Sequence, residues 1–436
     1  MLSSEDNDLL TSVAPGTPMG DLLRRYWTPA CLSSEIPEPD CAPVRVRLLS
    51  EDLVAFRDTN GKVGLVQENC PHRGASMYFG RNEECGLRCV YHGWKFDTAG
   101  QCVDMPSEPR PFADRIQIPA YPTHESGGIV WAYLGPPETI TPFRDFGTES
   151  LMADQVLASK LYIDCNWVQS IEGNIDTAHI SFLHTFDAVD GIADDGSDAP
   201  GYPSDWVSMK FRRHDRAPHL ELQDEPYGFR YAGLRTTPNG HTHVRMSAYI
   251  FPYGTIIAAI PFSTGHIWTV PIDENRCWRY TFATAAKRAA RRTPGVNWRL
   301  SIPDYPFRGL PNSGVIPREY TAENEYQLDR QAQRRSSFSG VPNIVAQDLM
   351  VTESMGPVYD RRQENLGTTD LAITRMRSQL IRAATDLREK GTEPPGLDPS
   401  IDFLSIRSAE KVLESSEDWR RLGTNEDPAV QEALTS

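Results

Sequence analysis

Two short segments carry residues that can hold metal. Residues 70–92 read CPHRGASMYFGRNEECGLRCVYH, in which Cys70-x-His72 is followed by sixteen residues and then Cys89-x-x-His92. Each short loop offers one thiolate and one imidazole. Zinc fingers pair like ligands on one element, C-x₂₋₄-C and H-x₃₋₅-H, so mixed loops speak against zinc. They suit an iron–sulfur cluster in which two thiolates hold one iron and two imidazoles the other. Gly74 and Gly93 let backbone amides approach such a cluster, Pro71 stiffens one loop, and Trp94 can shield it. Cys85 has no histidine at matching spacing and reads as a bystander.

The second segment, EGNIDTAHISFLH (172–184), places Asp176 three residues before His179 and eight before His184. Two neutral imidazoles and a carboxylate form the facial triad of non-haem Fe(II) sites, which leaves positions open for O₂ and substrate. The two histidines are five residues apart, about 140° of rotation on an ideal helix. A helix end or π-bulge near 180–184 is therefore expected. Asp176, one turn before His179, can orient that ring.

The elements around these segments follow from periodicity. Thr17-Pro18 reads as the cap and first residue of a short helix before a β-rich stretch from about 27 to 136. Within it VRVRLLS (44–50), LVAFRD (53–58) and KVGLVQ (62–67) read as strands, with Asn60-Gly61 as a hairpin turn. Pro136-Pro137 breaks the chain, which sets a lead at 1–26, a first domain at 27–140 and a second at 141–436. NWVQSIEGNIDTAHISFLHTF reads as helix and 187–205 as a polar loop. β runs follow at 206–214, 229–237, 243–252, 255–262, 266–272 and 277–285, then an irregular Arg- and Pro-rich stretch at 286–345. A strongly periodic helix at 366–390 ends at Gly391, and a short helix is expected near 407–422.

Composition excludes several function classes. The 436 residues allow two or three domains. With 39% hydrophobic and 24% charged residues and a mean hydropathy of −0.46, the chain is globular rather than disordered. A net charge of −15 speaks against nucleic acid or anionic lipid as the partner. No run of about 18 apolar residues can span a membrane. The N-terminus has no apolar signal segment, and eight cysteines in a chain this long are no disulfide framework. The reading is a cytoplasmic protein. Arginine dominates the bases: 7 of the 44 are lysine.

The first segment closely resembles a Rieske domain, whose C-x-H…C-x-x-H pattern is specific. With Glu172-x₃-Asp176-x₂-His179-x₄-His184 downstream, the chain resembles the terminal oxygenase component of the Rieske non-haem iron ring-hydroxylating oxygenases. PGTPMGDLLRRYW, NWVQSIEGNIDTAHISFLH and QDLMVTESMGPVYDRR…ENLGTTD resemble the phthalate dioxygenase-like branch, and the similarity covers roughly residues 10–390. The resemblance implies an α+β chain: an N-terminal all-β Rieske [2Fe–2S] domain and a C-terminal helix-grip catalytic domain, an antiparallel sheet around a long helix. It implies a cluster on Cys70, His72, Cys89 and His92, and mononuclear Fe(II) on His179, His184 and a late carboxylate. That carboxylate matches Asp348, with Glu353 as the nearest rival. It gives Asp176 the role of bridging His179 to His92 of a neighbouring subunit, hence a homotrimer or two stacked trimers.

With no nucleotide-binding fingerprint and no ferredoxin-type cysteine spacing, electrons must come from a separate NAD(P)H-dependent flavin or ferredoxin-type reductase. The implied reaction uses O₂ to hydroxylate an aromatic carboxylate such as a phthalate or benzoate. Monooxygenation by an O- or N-demethylase or side-chain hydroxylase is the alternative, and a Rieske electron carrier or a zinc protein the distant ones. A substrate carboxylate needs a cation in an apolar pocket. Arg212, Arg213, Arg235 and Arg245 lie on expected strands, with Arg245 the first choice and Arg212 beside it. Phe182, Phe251 and Phe262 are candidates to line a ring pocket.

Overall fold

The computed structural model describes residues 2–147, 156–185, 211–258, 266–284, 314–414 and 416–427. Two capped helices lead the chain. Ser3 accepts from Asp6 N–H to start α1 (Ser4–Thr11), and Thr17 accepts from Gly20 N–H to start α2 (Pro18–Leu23), with Pro18 where a missing N–H costs nothing. Both bury leucines against a helix more than 300 residues away, so the lead belongs to the C-terminal core.

The N-terminal domain is built from short antiparallel strands: β1 (Trp27–Leu32), β2 (Val44–Leu48), β3 (Glu51–Arg57), β4 (Val63–Gln67), β5 (Arg81–Glu83), β6 (Gly86–Arg88), β7 (Lys95–Phe96), β8 (Cys102–Asp104), β9 (Ala120–Tyr121), β10 (Thr123–Ser126) and β11 (Ile129–Tyr133). They form sheets ordered β1-β11-β10, β2-β3-β4-β9 and β5-β6-β7-β8. Asn60-Gly61 turns β3 into β4, with Gly61 at φ 81°. The second and third sheets close over a small core of Val54, Phe56, Val66, Met77, Leu87, Trp94 and Phe96, which also buries Cys70 and Cys89.

The C-terminal domain contributes β12 (Val156–Ile163), α3 (Trp167–Ile175), β13 (His219–Glu225), β14 (Gly228–Thr236), β15 (Thr242–Ile250), β16 (Gly254–Ile256), β17 (His266–Pro271), β18 (Cys277–Thr284), β19 (Gly314–Val315), α4 (Arg330–Arg335), α5 (Ile344–Ser354), α6 (Leu371–Lys390) and β20 (Ala409–Leu413). Its nine-stranded sheet runs β13-β14-β15-β16-β17-β18-β12-β19, with β20 paired to β15; every pairing is antiparallel except β12 with β19. α6 buries Ala372, Ile373, Met376, Leu380, Ala383 and Ala384 at helical spacing. These share one core with Phe229, Tyr231, Tyr249 and Ile250 of the sheet, which is the expected grip. Gly391 at φ 64° ends the helix in the left-handed conformation. The same core takes in β1 and β11, and Lys160 pairs with Glu35 at 2.7 Å and Arg24 with Glu51 at 2.8 Å.

Three expectations are corrected. The expected strand at 206–214 is helical at Phe211–His214, and its earlier residues lie outside those described, so Arg212 and Arg213 stand on a helical turn. The expected helix near 407–422 is instead the strand β20, followed by a 3₁₀ turn at Trp419–Arg421. Five residues are too few for periodicity to separate strand from helix, and pairing with β15 decides. The helix through 165–190 stops at Ile175, ahead of the break expected near 180–184.

Candidate metal centres

The two N-terminal loops share one hydrogen-bond pattern. Cys70 N–H donates to Ala75 C=O and Gly74 N–H to Cys70 C=O, both at 2.9 Å; Cys89 N–H donates to Trp94 C=O at 2.8 Å and Gly93 N–H to Cys89 C=O at 2.9 Å. Each turn closes through a glycine at positive φ, 74° and 78°, where a side chain is strained. A Cβ at Gly93 would also lie 2.7 Å from Pro106. The paired turns bring the His72 and His92 rings to 4.3 Å, and Trp94 stacks on His72 at 4.5 Å and 8°. Cys70 and Cys89 are buried, and His72 Nδ1 is buried with no hydrogen-bond partner among the described residues. A buried ring nitrogen with nothing to bond is costly unless it faces a metal. Burial first, then His72 and Arg73, lower the pKa of His92 and favour the neutral imidazole that ligation needs. These four donors fit a [2Fe–2S] cluster. Cys85 is exposed at the β5–β6 turn, where it accepts from Asn60.

The second centre is assembled by ends of helices. Asn166 caps α3, accepting from Val168 N–H at 3.0 Å. At the other end Asp176 Oδ1 accepts from Ala178 N–H at 2.6 Å, a local turn that competes with the helix and stops it. His179 therefore stands on a 3₁₀ turn, His179–Ser181, and His184 on the turn after it. The third member comes from α5, capped by Asn343, on which Gln347 and Asp348 occupy successive positions.

His179 Nε2 and His184 Nε2 are 3.1 Å apart; Asp348 Oδ1 lies 3.1 Å from His184 Nε2 and 4.0 Å from His179 Nε2. Donors at right angles around an ion with bonds of about 2.1 Å sit about 3 Å apart, so the two 3.1 Å separations suit neighbouring positions around one ion, while the 4.0 Å from His179 to Asp348 is wider. Among the described residues it is the one group of three His, Cys, Asp or Glu side chains whose ligand atoms all lie within 4.8 Å of one another, as a single ion needs. Burial raises the pKa of Asp348, but His184, His179 and Arg279 outweigh it and hold a carboxylate. Glu353, the rival, is engaged elsewhere: it accepts from Arg318, Tyr326 and Asp164 N–H.

Both histidines are oriented through Nδ1. His179 Nδ1 lies 3.3 Å from Asp176 Oδ2, and His184 Nδ1 lies 2.6 Å from Gln347 Oε1, whose own amide donates to Val341 C=O at 2.9 Å. Each partner leaves Nε2 free for the metal. For Asp176, burial raises the pKa, and His179 with the local N–H donors lowers it further than that. The sequence carried no signal for Gln347 except its place beside Asp348.

Glu172 does not face the metal. It holds Arg361 at 3.1 and 3.0 Å and Arg377 at 2.6 Å, and Arg377 also bonds Glu364. This buried network ties α3 to α6 and, through Asn7, to α1.

Three of the four candidate arginines converge beside the trio. Arg235 donates to Thr177 C=O at 3.0 Å and Ser181 Oγ at 3.2 Å; Arg245 donates to Thr177 Oγ1 at 3.3 Å and Ala258 C=O at 2.9 Å. Glu410 of β20 lies 3.6 Å from Arg212 and 3.1 Å from His243 Nε2. Among the described residues, Arg212 Nε, Arg235 Nη1 and His243 Nδ1 are buried with no hydrogen-bond partner. Burial first, then Arg212 and Arg245, push the pKa of Arg235 down to about 9, which leaves it cationic at neutral pH. Arg213 is half-buried. Phe251 is in the core, Phe182 is partly exposed against Phe338, and Phe262 lies outside the described residues.

Comparison with known proteins agrees with this chemistry. Residues 26–122 match the Rieske [2Fe-2S] domain family, and residues 132–435 match the family described as LigXa C-terminal domain like. The chain is 36% identical to the phthalate 4,5-dioxygenase oxygenase subunit of Pseudomonas putida, over 96% of this chain and 94% of that one. It is 34% identical to the 3-chlorobenzoate-3,4-dioxygenase oxygenase subunit of Comamonas testosteroni, over 96% and 97%. A dicamba monooxygenase crystal structure with 3,6-dichlorosalicylic acid shares the fold at a TM-score of 0.54 and 18% identity, covering 84% of this chain and 99% of that one. With its [2Fe–2S] cluster and mononuclear non-haem iron, the chain belongs to the Rieske non-haem iron ring-hydroxylating oxygenases, as an oxygenase component of their phthalate dioxygenase-like branch.

Proposed function

We propose that this oxygenase component hydroxylates, and specifically dihydroxylates, an aromatic carboxylate of the benzoate or phthalate class. The observation that carries the reading is Arg235, close to His179 and His184: it is 1% exposed, donates only to the Asp215 and Thr177 carbonyls and to Ser181 Oγ, and among the described residues no carboxylate pairs with it within 4 Å. Unpaired buried charge is expensive, so an anion belongs there. The similarity to subunits named for phthalate and 3-chlorobenzoate dioxygenases supports it.

The residues divide the work. Cys70, His72, Cys89 and His92 hold the cluster, and His179, His184 and Asp348 the iron. When bound, these centres supply single electrons and a site for O₂ activation. Asp176 holds His179 through Nδ1 and is partly exposed, open to His92 of a neighbouring subunit in a trimer or hexamer. The arginines fix the carboxylate end of the substrate, so that ring position rather than affinity alone selects the carbons that react. Electrons enter from a separate NAD(P)H-dependent reductase. Overall, the arene, O₂, NADH and one proton give a cis-dihydrodiol and NAD⁺.

The test is turnover of a benzoate and phthalate panel under ¹⁸O₂ with a matched reductase. Two labels in one diol are expected. One label, with formaldehyde released or a side-chain alcohol formed, replaces dioxygenation by monooxygenation. Turnover of neutral arenes in preference to acids overturns the carboxylate reading.

A further inference from the structure

One half-buried cation has entered so far only as a charge that helps keep Asp348 ionised. Arg279 stands on β18, opposite Thr269 of β17 and Leu161 of β12. Its side chain is 17% exposed, and Nη1 lies 3.7 Å from Asp348 Oδ2. Among the described residues, Asp348 is the only carboxylate within 4 Å of it. Apolar Leu161, Ile163, Val345 and Leu349 line the same cleft together with the neutral polar Ser170, Asn174 and Thr352, so its other side chains carry no charge.

The two oxygens of Asp348 are thus divided. Oδ1 faces the Nε2 atoms of both histidines, and Oδ2 faces Arg279. A guanidinium beside a site built for a cation works against metal binding, the more so in a low dielectric. Its effect also depends on the metal's charge. At a fixed distance a positive group repels Fe(III) by one charge unit more than Fe(II), and it draws carboxylate electron density away from the metal. Both effects act in one direction.

We propose that Arg279, acting through Asp348, is a positioning residue that poises the mononuclear iron in its ferrous form. This rests on the placement of iron at His179, His184 and Asp348. Ferrous iron is the form that non-haem oxygenases of this ligand type use. An arginine that only tied β18 to α5 would change stability when replaced, and nothing else.

The test is a mediated redox titration of Arg279→Met and Arg279→Lys, each loaded with iron and cluster. The ferric electron paramagnetic resonance of the mononuclear site is followed, with the Rieske cluster of the same sample as reference. One electron from the mediator converts Fe(III) to Fe(II), with no proton required. At the potential where the wild type is half ferrous, Arg279→Met is expected to lower the Fe(II)/Fe(III) ratio at least tenfold, which is 59 mV for a one-electron couple. Arg279→Lys stays within about threefold of the wild type, and the cluster does not move. Arg279→Gln carries the same test if the methionine variant does not fold. A neutral variant that titrates with the wild type overturns the proposal, as does an equal shift in the lysine variant. A wild type with no iron at these residues overturns the iron placement itself, a different result from an unshifted couple.

Discussion

Glu172→Gln isolates the network that anchors α3, the helix that leads into the turn bearing His179. The substitution keeps the shape of the side chain and removes its charge. Arg377 retains Glu364, at 3.0 Å, but Arg361, which is 0% exposed, is left with neutral partners, among them Asn7 Oδ1 and the Tyr359 carbonyl. Breaking a buried ion pair from one side costs about 3–5 kcal/mol. One amide oxygen remains to accept, so a loss near the lower bound, about 3 kcal/mol, is expected. At roughly 2–4 °C per kcal/mol that is about 6–12 °C in the thermal midpoint of the C-terminal domain. Calorimetry of the iron-loaded protein measures it. Because the pair is buried, 0.5 M salt should leave the loss nearly unchanged. A double-mutant cycle with Arg361→Met should return a coupling of at least about 1 kcal/mol. A loss under about 1 kcal/mol in Glu172→Gln, or a loss that salt abolishes, would show that α3 is held by apolar packing alone, and the reasoning would fail.

The other predictions are shorter. Arg245→Ala should raise KM for an acid substrate about tenfold more than for its neutral amide, since a charge-assisted bond is worth about 1.5–3 kcal/mol; equal changes would remove Arg245 from the carboxylate site. Asp176→Asn should leave both metal centres in place by metal analysis yet lose most turnover, and near-wild-type turnover would take Asp176 out of the electron path. Glu410 titrates at about 2 in the fold: burial raises its pKa, but His243, Arg212 and Arg245 together lower it further. Its folded pKa is below the usual value near 4.3, so its contribution is complete above that value and drains away as pH falls toward 2. Glu410→Gln should flatten the acid limb of the stability curve in that window, as read by urea midpoints; an unchanged acid limb would put the titrating group elsewhere.

What the sequence shows and what it hides divide along contact distance. Cys70 with His72, and Cys89 with His92, sit in five-residue turns, so spacing alone reveals them. His179 and His184 are legible for the same reason. Asp348 is not, because it meets His184 from 164 residues away, and only resemblance picks it from Glu353. Gln347, Arg279 and Glu410 are less visible still. Each is defined by a partner on another element: His184, Asp348, and the arginines with His243. A long-range pair leaves no period in either segment. Arg212 shows the opposite error. Strand alternation was read into 206–214, yet the described residues from 211 are helical and still deliver the guanidinium to Glu410.

The early end of α3 was open to local reasoning, and it matters most for the iron site. Asp-Thr-Ala after an apolar helix is an Asx turn, in which a carboxylate takes the N–H two residues on. Had α3 continued through 184, its two histidines would stand about 140° apart and could not share an ion. By spending Oδ1 on Ala178 N–H, Asp176 ends the helix and swings His179 toward His184; with Oδ2 it then holds the ring it has turned. One carboxylate thus sets both the backbone and the tautomer. Asp176→Asn preserves the first task, since an amide oxygen still accepts from Ala178, and alters only the second. Asp176→Ala removes both, so it should also release iron, and iron retained in the alanine variant would mean that the 3₁₀ turn holds without its cap.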